Sequence, residues 1–290
     1  MYKAIATNKR NTVLIMAVFV GLITALGFAI SYLFGADTSI TWWVLGAALI
    51  YALIQYFAAG SIAVAMTGAQ EIQKKDEPRL YRTVENLSIT LGIPMPKVYI
   101  IQDAAPNAFA TGRDPKHAVV AATTGLLEIM DDRELNAVMA HEMGHVQNYD
   151  IRVSMIAFGL VSAIGLLSDI VMNTLIFGRR ENNNPWALII GLVVIILAPI
   201  IAAIIQMAIS RQREYLADAT GAMTIRDSDG MASALEKLQT HGKPMKKQQS
   251  ATAQLFISDP LKQSFISKLF SSHPPLEDRI KRLRENAAKF

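Results

Sequence analysis

Hydrophobic and polar positions divide the chain into alternating blocks. Four long apolar runs stand out: Val13–Phe34, Trp42–Met66, Val153–Phe177 and Trp186–Ile209. Each is long enough to cross a hydrocarbon core of about 30 Å at roughly 1.5 Å per helical residue. The first, second and fourth carry no charge, and the third carries Asp169. One such run alone could be a buried helix of a soluble protein; four in one chain predict spans. The first is long for a signal peptide and no clear cleavage site follows it, which favours a retained anchor. Asp169 falls about 24 Å along the third run by helix rise, a depth that suits an interfacial position.

Loop charges predict the orientation. Lys3, Lys9 and Arg10 precede the first span, whereas the loop Gly35–Thr41 carries Asp37 and no basic residue. Basic flanks stay in the cytoplasm, so both termini are expected there. Arg179 and Arg180, between the third and fourth spans, argue mildly the other way. The expected organisation is a tail and first hairpin (1–66), a polar segment (67–152), a second hairpin (153–209) and a second polar segment (210–290). A two-span hairpin separates the polar segments, so both face the same side and can fold together. The fold class expected is a mainly α integral membrane protein with four transmembrane helices and a cytoplasmic α+β domain.

Within the polar segments the pattern predicts a helix over Pro78–Leu91 and a strand at Lys97–Ile101. Pro106–Gly112 reads as a strand or extended edge, and His117–Gly125 as a strand ending in a turn. Asp131 or Asp132 can cap a helix that runs through His145. Further helices are expected over Ser210–Met223, Gly230–Thr240 and His273–Asn286, with Pro275 tolerated near the start of the last.

Composition narrows the chemistry. Hydrophobic residues make up 52% of the 290 positions, which is high beside 18% charged residues and supports the membrane reading. The formal charge is +4, but no basic stripe interleaved with aromatics points to nucleic acid. The absence of cysteine excludes disulfides and thiolate metal sites. Any metal must therefore be held by His, Asp or Glu.

Just before the third apolar run stands "AHEMGHVQN" (Ala140–Asn148). His141 and His145, at i and i+4, share one helix face and can reach one tetrahedral zinc ion. Glu142 is rotated by about 100°, beside the metal rather than on it. There it can take a proton from a water that zinc has made acidic and pass it to a leaving amine. Gly144 is expected to clear space next to the metal, and Met143 to face into packing. A catalytic zinc needs a third protein ligand. His117, His241, His273 or a carboxylate are the possibilities. The extended metal motif that would supply a third His is absent, with Asn148 and Ile151 at its positions. The best candidate lies in "SRQREYLAD" (Ser210–Asp218). Glu214 can ligate, and Asp218, one turn on, can accept the outer N–H of a ligating His. The competing reading of that stretch is a solvated helix start with Arg211 paired to Glu214.

"AHEMGHVQN", "SRQREYLAD" and "SSHPPLEDRI", in this order and with a two-span hairpin between the first two, resemble the HtpX family of membrane metallopeptidases, related to the CAAX prenyl-protein endopeptidases. The resemblance covers nearly the whole chain. It implies a zincin-like domain that binds one zinc ion through His141, His145 and Glu214, with Glu142 as general base and Asp218 behind the ligands. It also implies an edge strand at Asn107, Ala108 and Phe109 that aligns substrate by strand addition, and His273 near the cleft as oxyanion support. The implied activity is endoproteolysis of misfolded or selected membrane proteins at the cytoplasmic face of the bacterial inner membrane, in envelope quality control. Protein substrates and the lipid bilayer are the expected partners. A non-catalytic zinc scaffold would have no use for Glu142. A four-span transporter would need charged or broken helices at mid-membrane.

Overall fold

The structure, a computed structural model, describes residues 2–33, 37–157, 159–160, 163, 211–246, 255–258 and 274–287. Most of the third expected span, all of the fourth, Asp169, Arg179, Arg180 and His273 lie outside the described residues.

The chain opens with two long helices, α1 (Tyr2–Leu33) and α2 (Ser39–Thr67), of about 48 and 44 Å by helix rise. They contain the first apolar run as far as Leu33 and the whole of the second. Among the described residues, α2 is the one helix that is long and apolar enough to cross a membrane by length and composition. Its buried side is lined by small residues, Ala48, Ala52, Ala59 and Ala63, at helical spacing. Its other side presents Leu49, Ile50, Leu53 and Phe57 outward, and Trp42 and Trp43 are 72% and 75% exposed. An apolar outer surface with tryptophans at one end suits a helix surrounded by lipid. Tyr51 donates from Oη to the carbonyl of Gly159 (2.8 Å), tying α2 to the start of the third apolar run.

The first polar segment forms a four-stranded sheet with helices against it. Strand β1 (Gln70–Glu71) is followed by α3 (Pro78–Leu91), β2 (Lys97–Ile101), β3 (Ala108–Gly112) and β4 (Ala118–Thr123). The order across the sheet is β1-β2-β4-β3, with β2 and β4 parallel and the other pairs antiparallel. β3 is therefore an edge. Helix α3 is amphipathic: Leu80, Val84 and Leu87 point into the core, and Gly92 (φ 63°) ends it in the left-handed conformation that glycine adopts at no steric cost.

A short helix, α4 (Thr124–Ile129), precedes α5 (Asp132–Gln147). Asp131 caps α5 through a reciprocal capping box with Glu134. Almost every residue of α5 from Leu135 to Gly144 is buried, so it forms the centre of the core. Residues 150–157 continue as helix. From the second polar segment come α6 (Arg211–Ile225), α7 (Ser228–His241) and α8 (Leu276–Glu285). α6 lies along α5. Gly221 makes this approach possible, because a Cβ there would stand 3.0 Å from the backbone N of His141. The surface that Gly144 leaves bare also faces α6, at Ala217 and Thr220. The expectation that Gly144 clears space beside the metal is thereby corrected: it borders a helix–helix contact. Met143 is fully buried in the core, as expected.

Candidate metal centre

α5 carries His141 and His145 one turn apart, and α6 brings Glu214 opposite them. The Nε2 atoms of the two imidazoles stand 3.1 Å apart. The Glu214 carboxylate lies 3.7 Å from His141 Nε2 and 3.6 Å from His145 Nε2. One ligand atom from each of the three falls within 4.8 Å of the others. Two nitrogens bound to one tetrahedral zinc at about 2.0–2.1 Å are roughly 3.3 Å apart. The donor set and its spacing therefore fit zinc.

The outward nitrogens are equally well placed. His141 Nδ1 lies 2.9 Å from Asp218 Oδ1, and His145 Nδ1 lies 3.1 Å from Asp150 Oδ2. A carboxylate against Nδ1 fixes that nitrogen as the N–H donor and turns the Nε2 lone pair inward. Two such lone pairs at 3.1 Å repel unless a cation sits on them, either a proton on one ring or a metal shared by both. The titration behaviour reflects this. Burial drives His141 down to about 4, helped by the charges of His145 and Arg279 and opposed by Asp218. Burial also disfavours charge on His145, but Glu214 and Asp150 outweigh it and lift that group to about 9.

Behind His141 stands Arg279 of α8, fully buried. It grips Asp218 with two parallel bonds, Nε to Oδ2 at 2.8 Å and Nη2 to Oδ1 at 2.7 Å. Its Nη1 lies 3.8 Å from Glu214. Burial alone would raise the Asp218 carboxyl, but Arg279 and then His141 hold it down at about 2. Asp218 thus stays ionised against the imidazole.

Glu142 is buried and faces a small cleft that His141, His145 and Glu214 also line. The opposite wall is Ala110 of β3 with Leu255, Phe256 and Ile257. The cleft has about 20 Å³ for a water-sized body, enough for roughly one water.

The edge of β3 is already occupied. Phe256 pairs with Phe109 in an antiparallel bridge, and Ile257 N donates to Ala108 O (2.9 Å). Asn107 clamps the same segment: its Nδ2 donates to Ser258 O (2.8 Å) and its Oδ1 accepts from Ser258 N (3.2 Å). Arg279 Nη1 reaches Ile257 O at 3.4 Å. Asn107, Ala108 and Phe109, expected to align substrate, are all buried beneath residues 255–258.

Of the expected site residues, His141, Glu142, His145, Glu214 and Asp218 come together. His117 and His241 are exposed; His117 pairs instead with Asp114 (2.7 Å). Glu214 is buried beside the imidazoles, so the solvated reading of its helix start is excluded. Two residues escaped the reading of the sequence. Asp150 stands unremarked between the histidine motif and the third apolar run, and Arg279 inside "HPPLEDRI". A carboxylate five positions past His145 and a lone arginine on the buried side of a short helix were the available signals.

Comparison with known proteins agrees with this geometry. Peptidase family M48 matches residues 74–287. The Protease HtpX homolog of Tropheryma whipplei (strain Twist) is 56% identical over 292 residues, with 100% of both chains covered. That of Limosilactobacillus fermentum is 47% identical over 298 residues, covering 98% of this chain and 99% of the other. Among solved structures, Ste24p of S. mikatae shares the fold, with a TM-score of 0.53 and 20% identity over 98% of this chain and 67% of that one. The chain belongs to peptidase family M48, within its HtpX group of metalloproteases, and zinc is its cofactor.

Proposed function

We propose that the protein is a multi-pass membrane endopeptidase that cleaves misfolded or selected membrane proteins at the cytoplasmic face of the bacterial inner membrane, in protein quality control under stress. The observation that carries the catalytic part is the convergence of two imidazoles and a carboxylate, each imidazole backed by its own aspartate. The outward apolar surface of α2 and the loop charges support the membrane part. In this reading the hairpins comprise 1–66 and 153–209, and 67–152 and 210–290 build the catalytic domain.

His141, His145 and Glu214 hold the zinc ion. Zinc held there would supply Lewis acidity and would lower the pKa of a water toward neutrality. Glu142 accepts the proton of the attacking water and delivers it to the leaving amine. Burial leaves its carboxylate poorly hydrated. Asp218 and Asp150 keep both rings in the ligating tautomer. Arg279 keeps Asp218 charged. A peptide substrate adds as a strand to β3 by displacing residues 255–258, where the apolar Leu255, Phe256 and Ile257 indicate an extended, apolar substrate segment.

Glu142→Gln tests the mechanism. The variant keeps its zinc and loses cleavage of an unfolded protein such as casein by at least about a hundredfold, the lower range for general acid–base catalysis. Equal cleavage by the purified wild type and this variant rejects the role of Glu142.

A further inference from the structure

The turn that carries Asp150 is held from the membrane. Helix α5 ends at Gln147, and Asn148 is its C-cap residue. Tyr149 then adopts φ 62°, in the left-handed region. An aromatic residue takes that conformation only where its surroundings hold it. The result is a tight reversal that points the Asp150 carboxylate back at His145 Nδ1 (3.1 Å).

What holds the reversal is Asn8, on the first turns of α1. Its Nδ2 donates to Asn148 O at 2.9 Å and to Asp150 Oδ1 at 2.6 Å. A single side-chain amide thus clamps both ends of the three-residue turn. Both partners are almost fully covered, Asn8 at 4% and Asp150 at 3% exposed. The Tyr149 ring carries a cation from α1 and one from the helix at 150–157, with Lys9 Nζ 4.6 Å and the Arg152 guanidinium 5.0 Å from its centroid. The amide's chemistry suits the task. It holds Asp150 Oδ1 in place and leaves Oδ2 facing His145 Nδ1.

We propose that Asn8 is a positioning residue for the zinc site. Through Asp150 it sets the tautomer and aim of His145, and it makes zinc binding depend on how the first membrane helix is seated. The inference rests on the assignment of His145 as a zinc ligand. It makes α1 part of the metal centre in addition to an anchor.

The test uses the full-length protein in detergent and measures zinc affinity by competition with a chromophoric chelator. The visible spectrum of the cobalt(II)-substituted protein reports ligand geometry. Asn8→Leu, alike in branching but unable to donate, is expected to weaken zinc binding about tenfold, at the lower end of the 10–100-fold effect of residues behind metal ligands. It should also alter the cobalt bands. Asn8→Gln, which keeps the amide, should bind more tightly than Asn8→Leu. In an Asp150→Asn background, Asn8→Leu should add little, because both act through one contact. Wild-type zinc affinity and an unchanged cobalt spectrum in Asn8→Leu overturn the proposal, as do fully additive effects in the double variant. If Asn8→Leu does not fold, Asn8→Ser, too short to reach both acceptors, takes its place with the same expectation. A wild-type protein that binds no zinc overturns the metal assignment and this proposal with it. Tight wild-type binding with unaffected Asn8 variants overturns this proposal alone.

Discussion

The two zinc-facing histidines are oriented by the same device, built in two ways. Each Nδ1 meets an aspartate, Asp218 for His141 and Asp150 for His145. Asp218 is held by a buried arginine through two charge-assisted bonds. Asp150 is held by hydrogen bonds from the neutral amide of Asn8, with the charge of the buried Arg213 also acting on it. The arginine side lies where α6 and α8 meet. The amide side belongs to the junction with α1. A buried arginine binds strongly but leaves a large unpaired charge when removed. A buried amide binds more weakly and is more easily unseated. The comparison teaches that the His141 half is fixed by two charge-assisted bonds from α8, whereas the His145 half is fixed by one amide from α1.

The largest expected effect lies on the arginine side, where Ile257 is held between β3 and Arg279. The chain has no cysteine, so Phe109→Cys with Phe256→Cys introduces one clean pair. The two form a non-hydrogen-bonded antiparallel pair, whose Cα atoms stand about 4.5 Å apart, within reach of a disulfide. Oxidation should nearly abolish casein cleavage while zinc is retained, and a reductant should restore it. Full activity in the oxidised form would show that substrate enters without displacing residues 255–258.

Next in size is Arg279→Met. It abandons a buried aspartate and should lower stability by about 3–5 kcal/mol. Arg279→Lys should not recover this, since an ammonium cannot make the two parallel bonds. Thermal or denaturant unfolding measures both. The smaller contrast is Asp218→Asn against Asp150→Asn. Each should weaken zinc binding by about 10–100-fold, the former more, because it also removes the carboxylate that takes both hydrogen bonds of Arg279. Equal losses in the two variants would remove the asymmetry between the halves.

How much of this could be read from the chain depended on how far apart the partners lie. Helix α3 and strand β2 have the bounds that periodicity predicts, because alternation and 3.6-residue spacing are local signals. The cap at Asp131 is equally local. The pair His141 and His145 follows from i,i+4 geometry. Glu214 and Asp218 follow from the same rule on a second helix, joined to the first by the argument that both polar segments share one side. Asn8 and Asp150 are 142 positions apart, and nothing in either neighbourhood names the other. Arg279 and Asp218 are 61 apart. The pairing of residues 255–258 with β3 is likewise a product of tertiary packing. It changes Asn107, Ala108 and Phe109 from an open substrate edge to a covered one. Gly144 was misjudged because a missing side chain has meaning only against the neighbour that fills the space.

The most direct measurement strips the purified protein with a chelator and returns zinc in steps, following bound metal and casein cleavage on the same sample. Wild type should regain activity in proportion to zinc, reaching its plateau at one ion per chain. Glu214→Ala should bind zinc far more weakly and stay inactive over the same range. Full cleavage by the stripped protein, or an unchanged zinc isotherm in Glu214→Ala, would contradict the assignment of His141, His145 and Glu214 as the zinc site.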